Sequence, residues 1–274
     1  MLYPENLSAL RERARSGRTC LGVHCSTMSP QTVELMGLLG LDYVIVSTEV
    51  ESIDPSRVED LLRAADASKT VPMVKLRRNA PELVSDALNA GAPLVMVPHV
   101  RTRTELEAAI SASRFAPLGT RGLCPAARYA GFGSRPVQLA TQLAHESISV
   151  IPIIEDKEAL GHLDELFDVP GVEIYEIGPF DLSHSLGVPP DRAYENPETL
   201  SAIEKICAAA ARHGKSLLAP LWLPREPLAP QEIIERQVRE LVARGINMLY
   251  HADVVMLARA FRELLPVRDA GGRR

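Results

Sequence analysis

The chain has 274 residues, of which 46% are hydrophobic and only 4% aromatic, and it carries a formal charge of −5 at neutral pH. That composition supplies an aliphatic core for one large domain or two small ones, and α/β barrels commonly occupy about 250 residues as one unit. The mild acidity offers no basic field for nucleic acid and no polybasic patch for a membrane surface.

The first residues, Met1-Leu2-Tyr3-Pro4-Glu5-Asn6, lack the basic and apolar regions of a secretory signal. No apolar run approaches the roughly 18 residues needed to span a bilayer. The four cysteines (Cys20, Cys25, Cys124, Cys207) show no C-x-x-C spacing. Reduced thiols in a soluble cytoplasmic protein are the expectation.

In chain order, apolar β-branched runs predict strands at 19–24, 41–47, 71–76, 93–100, 148–155, 172–178, 216–222 and 247–252. Amphipathic stretches between them predict helices at 30–39, 55–67, 81–90, 103–113, 157–167, 200–213, 230–243 and 253–265. Several open with Pro near the first turn and stop at Gly40, Gly91, Gly214 or Gly245, the usual asymmetry of helix ends. Strands buried on both faces read as near-continuous hydrophobic runs, the mark of a parallel sheet. Eight such alternations predict a closed (β/α)8 TIM barrel over residues 1–268, with a disordered tail at 269–274. A doubly wound open sheet is the alternative. However, Gly22-Val23-His24-Cys25-Ser26-Thr27 after the first strand is no G-x-G-x-x-G phosphate loop. Two segments, 114–133 and 187–196, exceed an ordinary connection and are expected to serve function.

Barrel active sites sit where the strands emerge. The predicted strand ends carry His24, Glu49, Lys75 with Arg77, His99, Glu155, Asp181, Trp222, and His251 with Asp253. Glu155 closes Ile151-Pro152-Ile153-Ile154, and Asp181 follows Ile177-Gly178-Pro179-Phe180, 26 positions later. Carboxylates on neighbouring strand ends suit a hard divalent cation, with helix capping as the structural alternative. Glu49 is either a holder of metal-bound water or a surface charge.

These motifs resemble the HpcH/HpaI aldolases, relatives of citrate lyase β subunits and macrophomate synthase, from about Leu21 to Ala258. The resemblance is carried by Ile154-Glu155-Asp156-Lys157-Glu158-Ala159-Leu160, Ile177-Gly178-Pro179-Phe180-Asp181-Leu182-Ser183, Val97-Pro98, and Arg114-Phe115-Ala116-Pro117-Leu118-Gly119-Thr120-Arg121-Gly122. It implies Glu155 and Asp181 as ligands of Mg²⁺, Mn²⁺ or Co²⁺, and backbone amides of Gly178, Pro179, Phe180 and Asp181 as the seat of a 2-oxo acid carboxylate. It implies that the Arg121 loop flanks the site, and that the chain assembles as a hexamer built from dimers that exchange a C-terminal helix, here 253–265. Arg77 and Arg121 are candidate carboxylate clamps, and Trp222 a wall or subunit contact.

The chain also departs from the family. Where the family carries Asp-Gly-Glu-His, this sequence has Ser47-Thr48-Glu49-Val50, so the usual histidine base is a valine. Lys75 replaces an arginine, keeping charge without the fork geometry, and Ile153 replaces a glutamine. His24 and His99 are the candidate substitute bases. Three functions stay open. One is aldol cleavage or addition of a 4-hydroxy-2-oxo acid with an aldehyde through a pyruvate enolate. The second is oxaloacetate decarboxylation, or decarboxylation-coupled bond formation of the macrophomate synthase or citrate synthase kind. The third is a barrel that binds a 2-oxo acid without turnover.

Overall fold

Short runs of Val, Ile, Leu and Met build a barrel wall in the structure, a computed structural model that describes residues 4–49, 54–222 and 231–270. The strands are β1 (Cys20–His24), β2 (Tyr43–Ser47), β3 (Val71–Lys75), β4 (Leu94–Val97), β5 (Ser149–Ile154), β6 (Ile174–Ile177), β7 (Ser216–Pro220) and β8 (Ile246–Ala252). All neighbours pair in parallel and β8 closes on β1, with His24 opposite Ala252. This is the expected (β/α)8 barrel.

The helices are α1 (Pro4–Arg15), α2 (Pro30–Leu38), α3 (Pro55–Ser68), α4 (Pro81–Asn89), α5 (Arg103–Ser113), α6 (Val137–Ser147), α7 (Leu163–Phe167), α8 (Pro179–Ser185), α9 (Pro197–Arg212), α10 (Gln231–Ala243) and α11 (Asp253–Ala270). Their starts are written in the sequence. Ser29 caps α2 by accepting from Thr32 N–H, Asn196 caps α9, and Thr102 with Glu105 forms a capping box on α5.

Alternate residues of the strands fill the barrel: Tyr43, Ile45, Met73, Met96, Ile151 and Met248 are fully buried there. Gly22 leaves the space that the Tyr43 ring occupies. At the N-terminal end, Leu7, Leu10 and Ala14 of α1 plug the interior. Each Leu, Ile or Met among them contributes roughly 1.5–3 kcal/mol when taken fully out of water.

Four local expectations are corrected. The 157–167 helix breaks into a 3₁₀ turn, Lys157–Gly161, and α7, because Gly161 and His162 interrupt it. Helices α1, α6 and α8 were not foreseen: α1 is strongly polar, and α8 starts inside what reads as a Gly-Pro turn. The last helix reaches Ala270, two residues into the expected tail, and residues 271–274 lie outside the described residues. Segment 114–133 joins α5 to α6 and so lies at the N-terminal ends of the strands, opposite the mouth where strands end. No described helix is long and apolar enough to cross a membrane.

Candidate active site

The ladder brings Ile154 opposite Ile177, and Gly178 N–H donates to Ile154 O at 3.1 Å, so Glu155 leaves β5 directly beside Gly178. A Cβ on Gly178 would stand 2.5 Å from Glu155 Oε2, so glycine is required by space and not by φ. Glu155 is 1% exposed. Its Oε1 accepts from the backbone N–H of His99 at 2.8 Å, while Oε2 is buried without a hydrogen-bond partner among the described residues. Burial raises this carboxyl to about 7; Lys75 opposes the shift and Glu176 adds to it.

His99 presents that N–H from a left-handed backbone, φ +54°, uncommon away from glycine. Its Nδ1 lies 3.1 Å from Asp156 Oδ2, which also accepts from Arg101 Nε at 3.2 Å. Ligand atoms of Glu49, His99 and Glu155 lie within 4.8 Å of one another. Two carboxylates, one with an orphaned buried oxygen, and one imidazole fit a divalent cation of the Mg²⁺, Mn²⁺ or Co²⁺ class. Asp181 stands exposed in the first turn of α8, outside that trio.

Beside this group the ends of β2 and β3 are tied together, since Thr48 N–H and Oγ1 both donate to Lys75 O, at 2.8 and 2.9 Å. The Lys75 ammonium meets Glu49 Oε2 at 2.5 Å. Burial alone would lower the Lys75 pKa, but Glu176, Glu155 and Glu49 together outweigh it and hold the amine above its usual value. Lys75 is therefore a fixed cation and not an amine nucleophile.

Glu176 is the site residue the sequence reading missed. It sits inside an apolar strand run, 1% exposed, its Oε1 accepting from Tyr250 Oη at 2.6 Å and its Oε2 unpartnered among the described residues. Burial raises it to about 7 against the pull of Lys75. A carboxylate within an otherwise apolar buried run was the available signal. His24, half-buried at the end of β1, has Nδ1 2.8 Å from Ser26 Oγ and its ring stacked 6.3 Å from that of Tyr250. Burial first, and then the charge of Lys75, lower the imidazole to about 4, so it is neutral at pH 7.

The remaining candidates divide. Gly178 N–H is spent on the ladder and Pro179 has none, which leaves the first-turn amides of Phe180 and Asp181 to receive an anion. Phe180 packs against Trp222, centroids 5.1 Å apart, and edge-on to Tyr194, forming an aromatic corner between β6 and β7. Arg77 is exposed and lines a cavity of about 840 Å³ outside the barrel, with Glu49, Glu59, Asp86 and Phe132.

Arg121 is not brought to the mouth of its own chain. Its guanidinium is sandwiched between Phe115 and Tyr129 at 4.6 and 4.4 Å, and donates to Asn89 Oδ1 at the far end of α4. Desolvation lowers it to about 10. Val50, the position of the missing histidine, lies outside the described residues.

The profile of the HpcH/HpaI aldolase/citrate lyase family matches residues 21–250. The chain belongs to the HpcH/HpaI aldolase/citrate lyase family. It is 32% identical over 249 residues to a pyruvate aldolase of Rhizobium etli, covering 91% of this chain and 96% of that protein. Among solved structures, an HpcH/HpaI aldolase/citrate lyase family protein from Burkholderia cenocepacia superposes with a TM-score of 0.83 at 29% identity, covering 95% of this chain and 99% of that one. The citrate synthase SbnG superposes with a TM-score of 0.78 at 28% identity, covering 96% and 98%. Aldolases are carbon–carbon lyases, and this HpcH/HpaI chain takes its place among enzymes of that class.

Proposed function

We propose that this family member is a divalent-cation-dependent carbon–carbon lyase that splits a 4-hydroxy-2-oxo acid into pyruvate and an aldehyde, or joins them, through the pyruvate enolate. The observation that carries this function is the Glu155 carboxylate, anchored by His99 N–H through one oxygen and offering its buried second oxygen beside Gly178. Glu155 and Asp181 would hold the cation (Mg²⁺, Mn²⁺ or Co²⁺), with Glu49 and His99 beside them. Once bound, it supplies Lewis-acid stabilisation of the oxygen on which negative charge develops.

The chain's own groups do the rest. Amides of Phe180 and Asp181 receive the substrate carboxylate. The Lys75 ammonium, locked by Glu49, faces the developing oxyanion without reorganising. His24 Nε2 takes the proton of the 4-hydroxyl; the electrons of that O–H bond form the aldehyde carbonyl, and those of the C3–C4 bond form the enolate. The same proton then returns to C3 to give pyruvate. The aromatic corner of Phe180 and Trp222 borders the space for the aldehyde.

A second function, decarboxylation of oxaloacetate or a decarboxylation-coupled condensation, is favoured by the residues ending β2. Ser47, Thr48 and Glu49 offer no imidazole there, and losing CO₂ yields the enolate with no proton to abstract. One experiment separates the two. The protein is incubated with Mg²⁺, Mn²⁺ or Co²⁺ in D₂O, with pyruvate or with oxaloacetate. Deuterium entering the pyruvate methyl group without added aldehyde supports the aldolase. CO₂ release from oxaloacetate without methyl exchange supports the decarboxylase, and silence in both assays with metal bound removes both.

We also propose a homo-oligomer built from dimers, in line with the hexamer the resemblance implies. The supporting feature is α11, which leaves Val254, Val255, Met256, Leu257 and Phe261 exposed, Phe261 at 63%. Light scattering after size exclusion tests it, and a monomer at micromolar concentration removes it.

A further inference from the structure

We propose that Ser26 and Asp253, together with Tyr250 and Glu176, are positioning residues that hold His24 in one tautomer and one orientation, with Nδ1–H on the Ser26 hydroxyl and the Nε2 lone pair turned to the Lys75 side of the mouth. The inference rests on the aldolase function above, in which His24 moves the proton.

The frame closes on the imidazole from two directions. At its edge, Ser26 Oγ lies 2.8 Å from Nδ1. Ser26 is itself pinned by Asp253, 4% exposed, whose Oδ1 accepts from Ser26 N–H at 2.8 Å. Asp253 Oδ2 takes Thr27 N–H at 3.2 Å and Thr27 Oγ1 at 2.5 Å, so one carboxylate from the start of α11 fixes the whole turn after β1. On its face, the ring stacks on Tyr250, whose hydroxyl is held by Glu176 at 2.6 Å. Residues from the turn after β1 and from β6, β8 and α11 thus converge on one side chain.

The partner of one ring nitrogen decides the state of the other. Because Asp253 holds the backbone N–H of Ser26, while the imidazole itself meets the neutral Ser26 hydroxyl, the ring stays uncharged. A neutral ring beside the Lys75 cation keeps its lone pair, not an N–H, on the side that cation occupies. A base oriented by a third group is the general plan of activated proton transfer. In the free site the charge of Lys75 disfavours imidazolium, and the carboxylate of an arriving 2-oxo acid offsets that charge, so His24 gains basicity when substrate is present.

The test uses the full-length protein with Mg²⁺ and pyruvate, comparing His24→Gln, Ser26→Ala, Ser26→Thr and Tyr250→Phe. Two quantities are read: methyl exchange, separated into kcat and KM, and the His24 tautomer from ¹⁵N-histidine NMR, with thermal unfolding as a control for folding. Ser26→Ala should lower kcat roughly 10- to 100-fold, the usual cost of losing an outer partner, with KM nearly unchanged. It should also mix the two tautomers, and Ser26→Thr, which keeps the hydroxyl, should restore both readouts. Tyr250→Phe should lower kcat less. If His24→Gln abolishes exchange while Ser26→Ala keeps the full rate and a single tautomer, the frame is overturned and the aldolase function stands. Full exchange in His24→Gln overturns the role of His24 and the frame with it. No exchange in the unmodified protein overturns the aldolase function, and an unchanged tautomer in Ser26→Ala overturns the frame separately.

Discussion

Lys75 Nζ lies 2.5 Å from Glu49 Oε2, and that contact joins the ends of β3 and β2 at the point where three buried or half-buried acids converge. The pair is asymmetric. Removing Glu49 leaves Lys75 with Glu155 and Glu176, but removing Lys75 leaves three carboxylates facing one another without a cation. Lys75→Met should therefore destabilise the metal-free protein by about 3 kcal/mol, the lower end for stranding a buried charge, and Glu49→Gln by clearly less. Urea unfolding of the two variants checks this. Losing a preorganised cation at the oxyanion should also cost on the order of 10²-fold in methyl exchange, and Lys75→Arg should recover part of it. Equal destabilisation by the two variants would show that Lys75 answers only to Glu49.

Gly178 and Glu155 share one space, and the glycine is there so that the carboxylate can lie across it. Gly178→Ala would place a Cβ 2.5 Å from Oε2 and 2.7 Å from the Glu155 Cβ, with Ile153 Cγ2 also near at 3.3 Å. The carboxylate must move. The barrel should still fold, because Gly178 has no left-handed φ to lose. Titration calorimetry with Mn²⁺ should show affinity reduced at least about 10-fold. Unchanged affinity would mean that Glu155 does not need its observed position to bind metal.

The barrel was readable because its strands are buried on both faces and therefore nearly uniform in hydrophobicity, with each exit marked by a polar residue. His24, Lys75, His99 and Glu155 all stand at such exits, and the structure gathers them at one mouth. Glu176 was hidden for the complementary reason. It interrupts Ile174-Tyr175-Glu176-Ile177 from within, and only the strand register shows that this position faces the barrel interior. Arg121 follows α5, a helix that returns from the mouth, so in its own chain the loop starts at the N-terminal ends of the strands whether or not α6 comes before β5. The φ of His99 and the bond from its N–H to Glu155 belong to tertiary geometry, and nothing in Val97-Pro98-His99 announces them.

His99 carries backbone strain at the position that anchors Glu155. A side chain at φ +54° costs about 1 kcal/mol that glycine avoids, so His99→Gly should be more stable than His99→Ala by roughly that amount. Both variants keep the N–H that holds Glu155 Oε1. Both lose the imidazole from the Glu49–His99–Glu155 group and should bind Mn²⁺ more weakly than the unmodified protein. Methyl exchange at saturating metal should survive in both, since His24 carries the proton. Thermal unfolding of the pair and their exchange rates are the measurements; an exchange rate at background in both would move the base from His24 to His99.

Glu176 ties stability to pH with a sign that separates it from ordinary surface carboxylates. Burial raises its folded value to about 7, with Lys75 and the Tyr250 hydroxyl opposing, whereas an unfolded glutamate titrates near 4.3. Between those values the folded chain binds more protons than the unfolded one, so stability falls as pH rises through this window and is complete below it. Glu155, also raised to about 7, acts in the same direction in metal-free protein. Glu176→Gln fixes the neutral form: it keeps an acceptor for Tyr250 and removes one titration. Urea unfolding with a chelator present, from pH 4 to 8, should therefore show a gentler decline for the variant than for the unmodified protein. The variant should gain relative stability toward pH 8, because it no longer has to bury a charge that Lys75 only partly offsets. Parallel curves across the window would mean that Glu176 keeps one charge state throughout, held ionised by Lys75 despite its burial.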